Sequence, residues 1–165
     1  MTEECAQCGF VYDLSEAATA GAAINERVGA AAAILRDRDV DVRSRRQPAV
    51  WSALEYGCHL RDVLLVQRER VLAALRVDRP DYPAMGRDER VVHDGYADQE
   101  PADVARQLGD AALMFGNVLG RLSADDWNRA VVYHFPETSV RSLRWLAVHT
   151  MHEAQHHLGD ISSQV

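Results

Sequence analysis

The sequence predicts an all-α fold, an antiparallel four-helix bundle with a short cysteine-containing head at its N-terminus. Three observations carry that prediction: long segments with apolar residues at helical spacing, little competing strand alternation, and one long connection where a crossover would run. A chain of 165 residues forms one domain and buries roughly 70% of its unfolded surface. Its 47% hydrophobic and 26% charged residues exclude a disordered or fibrous chain.

Residues 1–13 form the head and 14–165 the bundle. Ser15, with Glu16 behind it, starts a segment in which Ile24, Val28, Ala31 and Leu35 recur at helical spacing, which predicts helix one to about Asp37. Arg36 to Pro48 is dense in charge and closed by a proline, a solvated connection. Helix two runs from Trp51 to about Arg76 and is apolar on more than one side, as an interior helix is. Val77 to Glu100 holds two prolines and two glycines with no sustained period, so it reads as the longest irregular segment. Helix three starts at Pro101 or Ala102 and places Val104, Leu108, Ala111, Phe115, Val118 and Leu122 on one stripe. Ser123 to Asp126 reads as a capped turn and Val131 to Pro136 as extended or irregular chain. Thr138 or Ser139 caps the last helix, Val140 to about Ile161.

The net charge of -7, spread along the chain, argues against nucleic acid or an acidic membrane as partner, because binding phosphates needs a local excess of Arg and Lys. No apolar run approaches the roughly 20 residues of a membrane span. The opening residues Met1 to Cys5 are acidic where a signal peptide is basic, so the expected location is cytoplasmic. All 18 basic residues are Arg, which suggests a GC-rich bacterial genome and excludes lysine Schiff-base chemistry. Three cysteines without a secretion signal make a disulfide framework a poor expectation, and metal or redox use of Cys5 and Cys8 a better one.

The chemistry concentrates in the last helix, where His149, His152, His156 and His157 are interleaved with Glu153 and Asp160. His152 to His156 reads HEAQH, the HExxH pattern of zinc proteases, yet only eight residues follow His157 and a zincin takes its third ligand downstream. A helical wheel started at Leu143 centres the apolar stripe near about 20°. On it His152 and His156 fall at about 180° and about 220°, while Glu153 and His157 fall at about 280° and about 320°. Glu153 and His157 are therefore the i, i+4 pair beside the core. His59 is the only histidine inside an earlier helix, and would close a His/Glu/His metal site between helices. His149 and His152 read as surface or supporting residues.

The segments WSALEYGCHLRDV (Trp51 to Val63) and HEAQHHLGDI (His152 to Ile161) resemble the two signature helices of the DinB-like superfamily, a likeness that covers about residues 14 to 161. That family includes mycothiol and bacillithiol S-transferases, mycothiol-dependent maleylpyruvate isomerases and a domain of ergothioneine sulfoxide synthases. The resemblance implies a four-helix bundle that binds a divalent metal through His59 on the second helix and Glu153 and His157 on the last. Many members carry His at the middle position, where the isomerase branch has a carboxylate. Sliding the match by one residue selects His152 and His156, which stay open as the alternative pair. A homodimer is usual for similar proteins.

Three N/O ligands leave a position open on zinc, as in catalytic sites. A thiol bound there is deprotonated and presented to an electrophilic substrate. Asp62 and Asp160 are candidates to hold the second nitrogen of a ligand histidine, and Arg61 and Arg144 to meet a substrate carboxylate. The head, with Cys5-Ala-Gln-Cys8-Gly and an aromatic after it, resembles one knuckle of a rubredoxin or zinc ribbon. Zinc there would need further ligands from Cys58, a histidine or a partner subunit. A reversible disulfide or two idle thiols are the alternatives, and Cys58 reads as a small buried apolar residue. The expected function is a divalent-metal enzyme, Zn2+ first among the metals, with mycothiol as thiol cosubstrate. A metal-binding stress or regulatory bundle, favoured if His93 from the long loop covers the metal as a fourth ligand, and a thiol-independent enzyme using the metal as Lewis acid are the competing readings.

Overall fold

Capping chemistry sets where the helices begin in the computed structural model, which describes residues 4–165 and so leaves Met1, Thr2 and Glu3 of the head outside the described residues. The helices are α1 (Ala20–Arg36), α2 (Ala53–Ala74), α3 (Arg87–His93), α4 (Pro101–Leu119) and α5 (Leu143–Ser163). A short antiparallel hairpin, β1 (Ala130–Tyr133) and β2 (Ser139–Ser142), precedes α5.

Asp13, not Ser15, makes the first cap: its carboxylate accepts the Ser15 N–H at 2.9 Å and starts a 3-10 turn, Leu14–Thr19, that leads into α1. Ser52 and Glu55 close a capping box at the start of α2. Glu55 is also gripped by Arg45 at 2.6 and 2.8 Å, so the charged connection is tied to the bundle rather than merely solvated. Pro101 occupies the first turn of α4, where its missing N–H costs nothing, and that helix stops at Gly120, short of Leu122.

Two expectations change. Ser142 caps α5, because Ser139 to Ser142 pair with Ala130 to Tyr133 instead of joining the helix. Val140 is 56% exposed on β2 and is no part of the apolar stripe. β-branched Val131, Val132 and Val140 favour the pleated surface, and the Val132 N–H donating to Pro80 O at 3.0 Å ties the hairpin to the crossover. The crossover itself is not irregular throughout. It holds α3 and a 3-10 turn, Tyr96–Asp98, pinned by fully buried Tyr96, whose hydroxyl donates to Asp62 at 2.7 Å.

α1 and α2 each pack against α4 and α5 and face one another across the diagonal. A Cβ on Gly21 would meet Gly116 Cα at 3.3 Å, so the start of α1 lies against the end of α4 with backbones nearly touching. Ile24, Leu60, Leu108, Phe115 and Leu146 fill the centre. The head folds back as a tight turn: Gly9 N–H donates to Cys5 O at 2.8 Å and Cys5 N–H to Phe10 O at 2.9 Å. Gly9 takes φ of 69°, which glycine adopts without penalty. Phe10 and Tyr12 then seat the head on α5. Among the described residues no helix is long and apolar enough to cross a membrane.

Candidate metal centre

α2 is buried on nearly every side, so His59 points into the bundle and is 3% exposed. α5 faces it with Glu153 and His157, one helical turn apart on the same side. The rings of His59 and His157 lie 4.7 Å apart edge to face, and Glu153 Oε2 is 3.4 Å from His157 Nε2. One donor atom from each of His59, Glu153 and His157 falls within 4.8 Å of the other two.

His157 Nδ1 is held at 2.8 Å by Asp160 Oδ2, which turns Nε2 toward Glu153. His59 Nδ1 is buried with no hydrogen-bond partner, a cost the fold carries unless something binds there. Burial, aided by the nearby His157, lowers the pKa of His59 to about 3, so the ring stays neutral. Burial pulls His157 down too, but Asp160 and Glu153 outweigh it and raise the pKa. Burial pushes Glu153 up, and bonds from His152 and His157 reverse this and hold it well below the carboxylate range. Two imidazoles, one of them with an orphaned nitrogen, and a carboxylate fit a divalent ion.

Glu153 also faces a second network. Its Oε1 lies 3.4 Å from His152 Nδ1 and 3.7 Å from His149 Nε2. The Tyr12 hydroxyl bridges His149 Nδ1 at 2.8 Å and His152 Nδ1 at 3.0 Å. Of the two readings, surface or supporting, His149 and His152 take the second: they are buried beside Glu153, at 4% and 8% exposure, because the head covers that flank of α5. Burial lowers the His149 pKa to about 4. His152 and His156 also converge, but with Cys5 and Cys8 rather than with His59.

The remaining candidates lie elsewhere. Asp62 gives its oxygens to Arg61 at 2.9 Å, Arg90 at 3.2 Å and Tyr96 at 2.7 Å instead of to a ligand ring. Arg61 is committed to Asp62, Asp94, Gln99 and Gln107. Arg144 lies over the Trp127 ring at 5.8 Å. The Cys58 thiol turns toward Tyr96 O and Gln99, where burial pushes its pKa up to about 12. His93 is exposed and joins none of the metal-capable groups among the described residues. A cleft of about 620 Å³ opens beside Arg61, Asp94 and Gln107 and includes none of the His59, Glu153 and His157 side chains.

Sequence reasoning missed the residues beside His59 and His157. The Trp51 ring is 5.3 Å from His59, Tyr56 stacks on His157 at 5.9 Å, and the Arg87 guanidinium lies over Trp51 at 4.6 Å. Trp51 and Tyr56 stand within a few residues of His59 and were findable by proximity. Arg87 arrives from the crossover, and nothing in the sequence separates it from the other arginines.

The sequence profile of the DinB superfamily matches residues 22–161. Among solved structures, YfiT from Bacillus subtilis, described as "a probable metal-dependent hydrolase with an unusual four-helix bundle topology", superposes with a TM-score of 0.75 at 13% identity, covering 92% of this chain and 85% of that one. No curated protein matches the chain.

Proposed function

The chain belongs to the DinB superfamily, and from that premise we propose a metal-dependent enzyme that holds a divalent ion on His59, Glu153 and His157. These residues would hold the ion, zinc by the donor set, and it would supply activation of a low-molecular-weight thiol for S-transfer to, or thiol-assisted isomerisation of, an electrophilic substrate. The observation that carries this reading is a group of three donors with an orphaned His59 Nδ1 and no fourth protein ligand among the described residues. A closed four-ligand set would favour a purely structural or sensory bundle.

When bound, the ion supplies a Lewis acid that lowers the pKa of a coordinated thiol and makes it a nucleophile at neutral pH. The chain's own residues do the rest. Burial keeps His59 unprotonated, and Asp160 accepts the Nδ1–H of His157 and fixes the ring with Nε2 inward. Arg87, braced on Trp51, offers a cation to a carboxylate on thiol or substrate. Mycothiol is the thiol we propose, on the resemblance and the all-arginine composition.

The hydrolase description of YfiT supports a second reading in which water takes the thiol's place. Cobalt-loaded Cys5→Ser/Cys8→Ser protein, free of thiolate bands from the head cysteines, separates the two. Added mycothiol, or another small thiol, is expected to produce thiolate-to-cobalt charge-transfer absorption that His59→Ala abolishes. No spectral response to any thiol, together with hydrolysis of ester or amide substrates, would replace the thiol reading with the hydrolytic one.

A further inference from the structure

The N-terminal head and α5 bring together a second donor set that the bundle site does not use. One donor atom from each of Cys5, Cys8, His152 and His156 lies within 4.8 Å of all the others. Cys5 Sγ is 4.0 Å from His156 Nδ1. In a tetrahedral zinc site with Zn–S of about 2.3 Å and Zn–N of about 2.0 Å, neighbouring ligand atoms stand about 3.3 to 3.8 Å apart, so only small side-chain adjustments separate this cluster from coordination.

Two further observations point to a ligand. His152 is 8% exposed and its Nε2 is buried with no hydrogen-bond partner, while Nδ1 is occupied by the Tyr12 hydroxyl at 3.0 Å. The head is also folded as a metal knuckle is, with Gly9 at φ of 69° closing the Cys5 to Gly9 turn. A Cys5–Cys8 disulfide would leave His152 Nε2 unsatisfied.

We propose that Cys5, Cys8, His152 and His156 form a closed, structural zinc site that staples the head to α5. Two thiolates and two neutral imidazoles leave the site with no net charge and no position for substrate, unlike the three-donor group beside it. Binding Zn2+ displaces the two thiol protons to solvent, with no change of oxidation state. Ligation through His152 Nε2 fixes the Nδ1–H tautomer, which faces Tyr12 and, at 3.4 Å, Glu153 Oε1.

The test is metal content of full-length protein reconstituted with Zn2+ alone under reducing conditions, for wild type, Cys5→Ser/Cys8→Ser and His59→Ala. The proposal expects the cysteine variant to bind one ion fewer than wild type and His59→Ala to keep the cysteine-dependent ion. A cysteine variant with undiminished zinc overturns it, as does wild type that binds none. One ion in wild type, lost in the cysteine variant but kept in His59→Ala, upholds this site while refuting the bundle site. Because the cysteine variant could fail to fold, wild type is also alkylated with and without chelator. Cys5 and Cys8 should resist modification until chelator is added, and equal reactivity in both conditions refutes the site.

Discussion

Asp160 offers a sharp test of how the bundle site is built. Its Oδ2 accepts from His157 Nδ1 at 2.8 Å and also lies 3.6 Å from His156 Nε2. Removing such a partner of a ligand histidine costs about 10- to 100-fold in metal affinity, or about 1.4 to 2.7 kcal/mol. Asp160→Asn keeps an acceptor but loses the charge, so the lower end is expected. Asp160→Ala loses both and should approach the upper end. The assay is competition for Zn2+ against a chromophoric chelator, run in the Cys5→Ser/Cys8→Ser background so that only the bundle ion is counted. The metal-free fold should hardly notice, because a side chain 29% exposed contributes about 1 kcal/mol or less in a screened pair. Unchanged affinity in both variants would refute the claim that Asp160 orients His157 as a ligand.

Metal affinity at the bundle site should fall about tenfold per pH unit on acidification below the raised pKa of His157, with a slope of one proton rather than two. His157, its pKa raised, must lose a proton to bind, whereas His59 stays neutral down to about 3 and Glu153 is already ionised. Chelator competition across pH reads the slope, and two protons would contradict this assignment. Asp62→Ala should leave zinc stoichiometry at the bundle site intact yet cost about 3 kcal/mol, because it strips Arg61, Arg90 and Tyr96 of a buried acceptor. That amounts to a melting temperature lower by about 6 to 12 °C. Gly57→Ala should destabilise by about 1 kcal/mol net, since its Cβ would meet Leu35 Cδ1 at 2.6 Å. Gly29→Ala, with nothing within 4 Å, should stabilise by about 0.5 to 1 kcal/mol, and thermal melts check both.

How much was legible follows from what each kind of pattern can report. Helical spacing from Ile24 to Leu35 and from Val104 to Val118 located α1 and α4, because one buried stripe writes a period into the sequence. The same wheel put Glu153 and His157 beside the core, where both face His59. It put His152 opposite the core because a wheel assumes solvent there, and here Phe10 and Tyr12 cover that flank. Helical signals also outweighed a four-residue strand, so Val140 was read into α5 although cross-strand bonds hold it in β2. Arg87 and Trp51 meet through the crossover, a tertiary contact with no local trace.

The most direct measurement of the central claim is elemental analysis of protein purified without chelator or affinity-tag metal, comparing Cys5→Ser/Cys8→Ser with the same chain carrying His59→Ala and Glu153→Ala. One divalent ion per chain in the former and none in the latter is the expected result. Equal metal in both, or none in either after reconstitution, would contradict a bundle site built on His59, Glu153 and His157.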